Sequence, residues 1–171
     1  MDPASRDQQL VLKHSAVKGA QSFALLTPPL LVLRAALTRR APSLRSITRT
    51  LGLSTFVLGP LAGAGVEIGR VYWQGLGERE LGEKAVKIRT NAGQRRCDDY
   101  ATIGAVLGGL IAPTLLLRRA PLPYLVASGA SLGLAGGVFT HVVKGYTEGQ
   151  DTVSAAMVKE EVKGAVGAKG R

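Results

Sequence analysis

Two long stretches of the chain carry no charge: the 18 residues between Asp99 and Arg118, and the 24 between Arg119 and Lys144. At about 1.5 Å per helical residue they approach or exceed a hydrocarbon core of roughly 30 Å, so each can cross a bilayer as a helix. Only Arg118 and Arg119 separate them, and with Ala120 and Pro121 these make up the whole link. So short a link demands that the two spans, about 100–117 and 122–143, form an antiparallel hairpin. A further apolar segment, 51–73, ends on Tyr72 and Trp73. Amphipathic aromatics favour the head-group level, which sets a membrane boundary near residue 72. The first apolar segment, 19–33, offers 15 uncharged residues between Lys18 and Arg34 and contains Pro28 and Pro29. It is short for a span, and proline, which lacks an amide proton and crowds the preceding turn, predicts a kink there. The expected fold is therefore all-α: a polytopic membrane protein of three or four glycine-rich transmembrane helices, the number depending on whether 19–33 crosses or lies at the interface.

The polar segments complete the organisation. Residues 1–18 place Leu10, Val11 and Val17 among Lys13, His14 and Lys18, the pattern of an amphipathic surface segment. A membrane domain, 19–145, follows. It is interrupted by a mixed-charge extramembrane loop at about 74–99 that is expected to be partly helical. A polar, basic tail covers 146–171, where Val158, Val162 and Val166 give a weak amphipathic spacing. With four spans, the N-terminus, central loop and tail share one side and carry fifteen of the 22 Lys and Arg; the other side carries seven. That asymmetry favours both termini on the positive, matrix- or cytosol-like side.

Composition narrows the partners. A net charge of +10 beside 46% apolar residues would suit a nucleic-acid binder only if the bases were spread over polar helices. Here they gather at the ends of apolar runs, which points to lipid head groups, anionic ones such as cardiolipin included, and away from DNA or RNA. Cys97 is the single cysteine, so an intramolecular disulfide is excluded and a thiolate metal site lacks ligands. The first ten residues hold Asp2 and Asp7 with Arg6 as the one base, unlike a secretory signal or an Arg-rich transit peptide, so targeting is expected to be internal.

The most specific local pattern is glycine at a spacing of four: Gly59 with Gly63, Gly65 with Gly69, Gly104 with Gly108, Gly129 with Gly133, and Gly133 with Gly137. Four residues apart means one helix face. Lipid gives no hydrophobic gain for helix association, so such faces pack by close backbone approach. Glu67 and Arg70, three apart on one face, are read first as a structural ion pair, since an interfacial pair is tolerable, and second as a polar contact to a partner or a proton route. Arg95, Arg96, Asp98 and Asp99 precede the third span. They read either as a docking cluster or as a solvated helix end whose acids complement the dipole. His141 and His14 are lone histidines and read as structural, with no ligand set around either. No P-loop, dinucleotide fingerprint, nucleophile elbow or paired-carboxylate arrangement is present, so no catalytic, cofactor-binding or metal residue and no small-molecule substrate is expected.

The opening Met1-Asp2-Pro3-Ala4 with residues 8–12, the run Gly19-Ala20-Gln21-Ser22-Phe23-Ala24-Leu25-Leu26-Thr27-Pro28-Pro29, and Asp98-Asp99-Tyr100-Ala101-Thr102-Ile103-Gly104 resemble the fungal NUXM-type accessory subunits of mitochondrial complex I, the NADH:ubiquinone oxidoreductase. The glycine-rich fourth span ending Thr140-His141 is similar too. The resemblance covers most of residues 1–145. It implies a multi-pass supernumerary subunit of the mitochondrial inner membrane, lodged among other membrane-arm subunits and contributing no catalytic residue. A looser resemblance joins residues 95–99, Gly104 and Gly108 to the Tim17-like import family, also of four glycine-rich spans. In that family the glycine pair lies further beyond the aspartate, so a transport or translocation role is the alternative expectation and no residue role is carried over.

Overall fold

The computed structural model describes residues 3–39, 42–75, 77–117 and 119–148, which puts most of the expected tail outside the described residues. The described chain is helical throughout: α1 (Pro3–Thr38), α2 (Leu44–Leu53), a π-helical turn (Ser54–Leu58), α3 (Gly59–Gln74), α4 (Glu78–Thr90), α5 (Ala92–Leu116) and α6 (Leu122–Glu148). α2, the π turn and α3 run on as one rod, so four rods are long and apolar enough to cross a membrane: Ser5–Thr38, Leu44–Gln74, Ala92–Leu116 and Leu122–Thr147. The chain is a multi-pass membrane protein by this measure.

Two sequence boundaries move. The amphipathic segment and the first apolar segment are one helix, and α1 continues past Pro28 and Pro29 although neither can donate a bond to the ladder. The third span starts well before residue 100. Asn91 caps α5, its side-chain oxygen accepting from Gln94 N–H at 3.1 Å, and the helix runs from Ala92. Asp98 and Asp99 therefore lie about two turns inside α5, beyond the first turn where the dipole favours acids. The reading of these two residues as dipole partners is corrected: their place has to be explained by side-chain contacts.

Polarity is inverted relative to a soluble bundle. Leu30, Val32, Leu37, Leu61, Leu110, Leu115 and Phe139 are exposed, whereas Gln21, Thr27, Thr48, Ser54, Thr55, Glu67, Ser128 and Ser131 are buried. In a bilayer the apolar outside is solvated by acyl chains, and the inside can be built from small and hydroxylated residues. The glycines make this possible along two seams. Gly104 lies against Gly133 and Gly137, and Gly108 against Gly129 and Gly133, so α5 and α6 run antiparallel with backbones in contact. A Cβ on Gly133 would collide with the carbonyl oxygen of Gly104. On the second seam Gly19 of α1 meets Gly59 and Gly63 of α3, and Gly63 also meets the Ser15 backbone.

Gly65 and Gly69 pack against no other described element of this chain, for nothing outside their own helix lies within 4 Å of a Cβ built on either. At about 100° per residue they sit some 200° and 240° round α3 from Gly63, so the face that meets α1 turns them outward. Gly52, which no spacing of four marked, does pack: a Cβ there would come within 2.9 Å of the Ala127 Cβ on α6.

Because the four rods alternate in direction, the start of α1, all of α4, the start of α5 and the end of α6 meet at one end of the bundle. α4 lies there on α1, and Leu81 and Ala85 of α4 and Val11 of α1 are all buried. The end of α1 and the start of α2, with the end of α5 and the start of α6, form the opposite end.

Candidate functional site

The chemistry-bearing side chains collect where α1 passes α3, α4 and α5. The carboxylate of Glu67, only 5% exposed, is held at both oxygens: Lys84 of α4 pairs with Oε1, and Ser15 of α1 donates to Oε2 at 3.2 Å. A few residues along α1, Lys18 Nζ lies 2.7 Å from Asp98 Oδ1 of α5, and Gln21 Nε2 donates to the same oxygen at 2.7 Å. Lys18 also donates to Gln21 Oε1 at 2.8 Å, closing a three-residue network. His14 is half-buried on this stretch of α1, within electrostatic reach of Lys18, Asp98 and Glu67. At the rim, Arg89 of α4 reaches Asp7 at 3.0 Å.

Local sequence explains the convergence. Ser15 precedes Gly19 by one turn and thus lies on the face that the glycine brings against α3. Lys84 lies three residues beyond the buried Leu81, on the same side of α4, so the docking of that side also delivers the ammonium to Glu67. Asp98 precedes the buried Ala101 by three and is carried inward with it.

The expected pair of Glu67 with Arg70 is corrected. Glu67 faces into the bundle and takes its cation from α4, while Arg70, nearly a full turn further on, is exposed. Arg95, Arg96 and Asp99 are exposed as well, and Asp98 is the member of that cluster that pairs with Lys18 and Gln21. His141 lies at the α5–α6 seam with its ring 5.9 Å from that of Tyr100, and Lys144 Nζ is 3.2 Å from the Tyr100 hydroxyl.

A second polar layer, which no motif announced, lies towards the bundle centre at the π turn. Gly59 N–H reaches the Ser54 carbonyl five residues back. Ser54 and the fully buried Thr55 both face inward: Ser54 Oγ is 2.9 Å from Thr27 Oγ1 of α1, and Thr55 Oγ1 is 2.6 Å from Ser131 Oγ of α6. Thr27 and Ser54 also approach the carbonyls of Phe23 and Leu51. With one hydrogen per hydroxyl, two of these three contacts can be hydrogen-bonded at once. π-bulges often mark special sites, and here the bulge lets neighbouring hydroxyls address two different helices.

Among the described residues no buried polar side-chain atom lacks a partner, and no group of three His, Cys, Asp or Glu is arranged as a metal site. What the arrangement does chemically is join helices: α4 to α3 and α1, and α1 to α5, by ion pairs, α1 to α3 by the Ser15 hydroxyl on Glu67, and α2–α3 to α1 and α6 by hydroxyl pairs. Compared with protein-family models, characterised proteins and solved structures, the chain finds no match.

Proposed function

We propose that this protein is a non-catalytic accessory subunit of a larger membrane assembly, in which it braces neighbouring helices and lipid. The observation that carries the reading is the engagement of Glu67: both carboxylate oxygens are taken, by Lys84 and Ser15 from two other helices, leaving a structural clamp in place of a free acid or base. The resemblance of residues 1–4, 8–12, 19–29 and 98–104 and of the fourth span to NUXM-type proteins makes the membrane arm of complex I, in the mitochondrial inner membrane, the assembly we favour. Other membrane-arm subunits and phospholipid are then the partners. The outward glycines Gly65 and Gly69 suit the close approach of a neighbouring subunit's helix.

Native membranes solubilised in mild detergent test the reading. The protein should comigrate on a native gel with a complex near a megadalton, and migration as a free small species would sink the proposal. The competing reading, a transport or translocation component, rests on the buried acid at Glu67, because intramembrane carboxylates often line ion paths. Glu67→Gln separates the two. A clamp predicts weakened assembly, whereas a path predicts lost flux with assembly intact.

A further inference from the structure

At the end of the bundle away from the Glu67 clamp, an open groove of about 340 Å³ runs between α1 and α2. Its walls are almost wholly apolar, with Phe23 and Leu30 on α1 facing Thr50 on α2 and Ser54 at the start of the π turn. Towards the membrane surface it leads into a second, more polar hollow of about 240 Å³, lined by Pro42, Ser43 and Ser46. Arg34 lines both, standing where the apolar groove becomes the polar mouth. From Phe23 to Ala35 the two hollows extend over 12 residues of helix, about 18 Å, close to the ~15 Å depth of one leaflet's hydrocarbon.

Charge says what belongs in the mouth. No acidic residue occurs between Asp7 and Glu67 or between Asp99 and Glu148, and among the described residues the charged ones at this end of the bundle are all arginines: Arg34, Arg39, Arg45, Arg49 and Arg119. The described ion pairs all involve other residues, at the clamp end or along α4. The start of α2, with its positive dipole end, opens on the same mouth, and Ser43 caps it by accepting from Ser46 N–H. An apolar slot one leaflet deep, giving onto Arg34, which has no carboxylate among the described ion pairs, matches an amphiphile with a tail and an anionic head.

We propose that the α1–α2 groove is a binding site for an anionic phospholipid, one acyl chain lying along Phe23 and Leu30 and the phosphate meeting Arg34 at the mouth. This goes beyond the accessory-subunit reading and does not depend on it, because the site is complete within one chain.

The test uses the purified full-length protein in neutral detergent. It is equilibrated with equal amounts of phosphatidylglycerol and phosphatidylcholine of matched chains, and bound lipid is counted by native mass spectrometry. Phosphatidylglycerol should be retained about fivefold over phosphatidylcholine, the discrimination expected of one well-placed base near an anionic surface. Arg34→Gln should bring the two lipids to near parity, Arg34→Lys should keep most of the preference, and Arg70→Gln at the other end should leave it unchanged. Thr50→Phe, which fills the slot, should lower retention of both lipids. Parity in the unaltered protein, or an undiminished preference in Arg34→Gln, overturns the proposal. So does unchanged retention in Thr50→Phe, which would mean head-group adsorption without the groove. Protection of the groove only inside the native assembly, with no lipid retained by the isolated chain, would assign it to a neighbouring protein and overturn the proposal too.

Discussion

The two ends of this bundle solve the problem of charge at a membrane surface in opposite ways. At the end where α4 lies, acids and bases are interleaved: Asp7, Glu67 and Asp98 each find a cation on another helix, so the chain neutralises itself and the ion pairs become fastenings. At the opposite end, where α1 gives way to α2 and α5 to α6, the described arginines enter none of the described ion pairs, and the segments there contain no acid. Fifteen of the 22 basic residues belong, in chain order, to the first side and seven to the second, yet all 12 acids go with the fifteen. The side richer in bases thus carries the smaller net charge. The lesson is that a count of Lys and Arg speaks to orientation, whereas the pairing of those residues tells which end holds itself together and which depends on something outside the chain.

The sharpest way to break the closed end is to remove a cation and leave its anion buried. Lys84→Met leaves Glu67 with Ser15 as its only partner. An uncompensated buried charge costs about 3–5 kcal/mol, and the partial exposure of Lys84 places this case near 3. Unfolding of the purified protein by denaturing detergent measures the loss, and hydrogen exchange should show it first in α4. The double variant Glu67→Leu with Lys84→Met should recover most of the stability, since no charge is then stranded. A loss under about 1 kcal/mol in the single variant would show that Glu67 sits in water, and the closed end would not be closed.

The next effect tests whether the ends are mechanically joined. Gly133→Val forces α5 and α6 apart against the Gly104 backbone, and overpacking of this kind costs about 1–3 kcal/mol. Opening the seam should loosen both ends in hydrogen exchange, because α5 and α6 run between them. Gly65→Val is the control: it meets open space, so the isolated protein should change by less than about 0.5 kcal/mol. Equal losses in the two variants would mean that helix propensity, and no particular seam, sets the role of glycine here.

Much of this architecture is legible in the sequence because a bilayer enforces it. Uncharged runs of 18 and 24 residues leave little choice but helices, and the four-residue glycine spacing marks the α5–α6 seam because small side chains are what permit backbone contact. The clamp is only half legible. Glu67 stands out as an acid in an apolar run, but its cation lies 17 residues on in α4, and a spacing rule limited to one helix selects Arg70. Lys84 could have been found as a base three residues beyond Leu81 on the same side of α4, a weak signal in so polar a segment. The hydroxyl layer at Ser54 and Thr55 was not legible at all: the residues are common, and their partners Thr27 and Ser131 lie 27 and 76 positions away.

That layer lies between the two ends, and it should matter less than either. Thr55→Val keeps the shape and removes one hydroxyl, leaving Ser131 free to turn to a carbonyl of its own helix. Interhelical hydrogen bonds inside membranes average about 0.6 kcal/mol, so the expected loss is of that size in the same unfolding assay. A loss above about 2 kcal/mol would make the centre, and neither end, the principal fastening.

The smallest effect is the most telling for the open end, because its sign should depend on the surroundings. Arg45 lies in the first turn of α2, exposed, where a positive charge opposes the helix dipole. In neutral detergent it has no carboxylate to offset that repulsion, so Arg45→Gln should leave the protein unchanged or stabilise it by a few tenths of a kcal/mol. In vesicles containing anionic lipid the same arginine gains a surface of phosphates, worth about 1 kcal/mol per base, and the substitution should then destabilise. A matching change at the closed end, Arg89→Gln, loses its Asp7 partner in either medium and should destabilise slightly in both. If Arg45→Gln behaves as Arg89→Gln does, losing stability even without anionic lipid, then the open end has an internal partner and the contrast between the two ends fails. A reversal of sign confined to Arg45 would establish that this end is finished by the membrane.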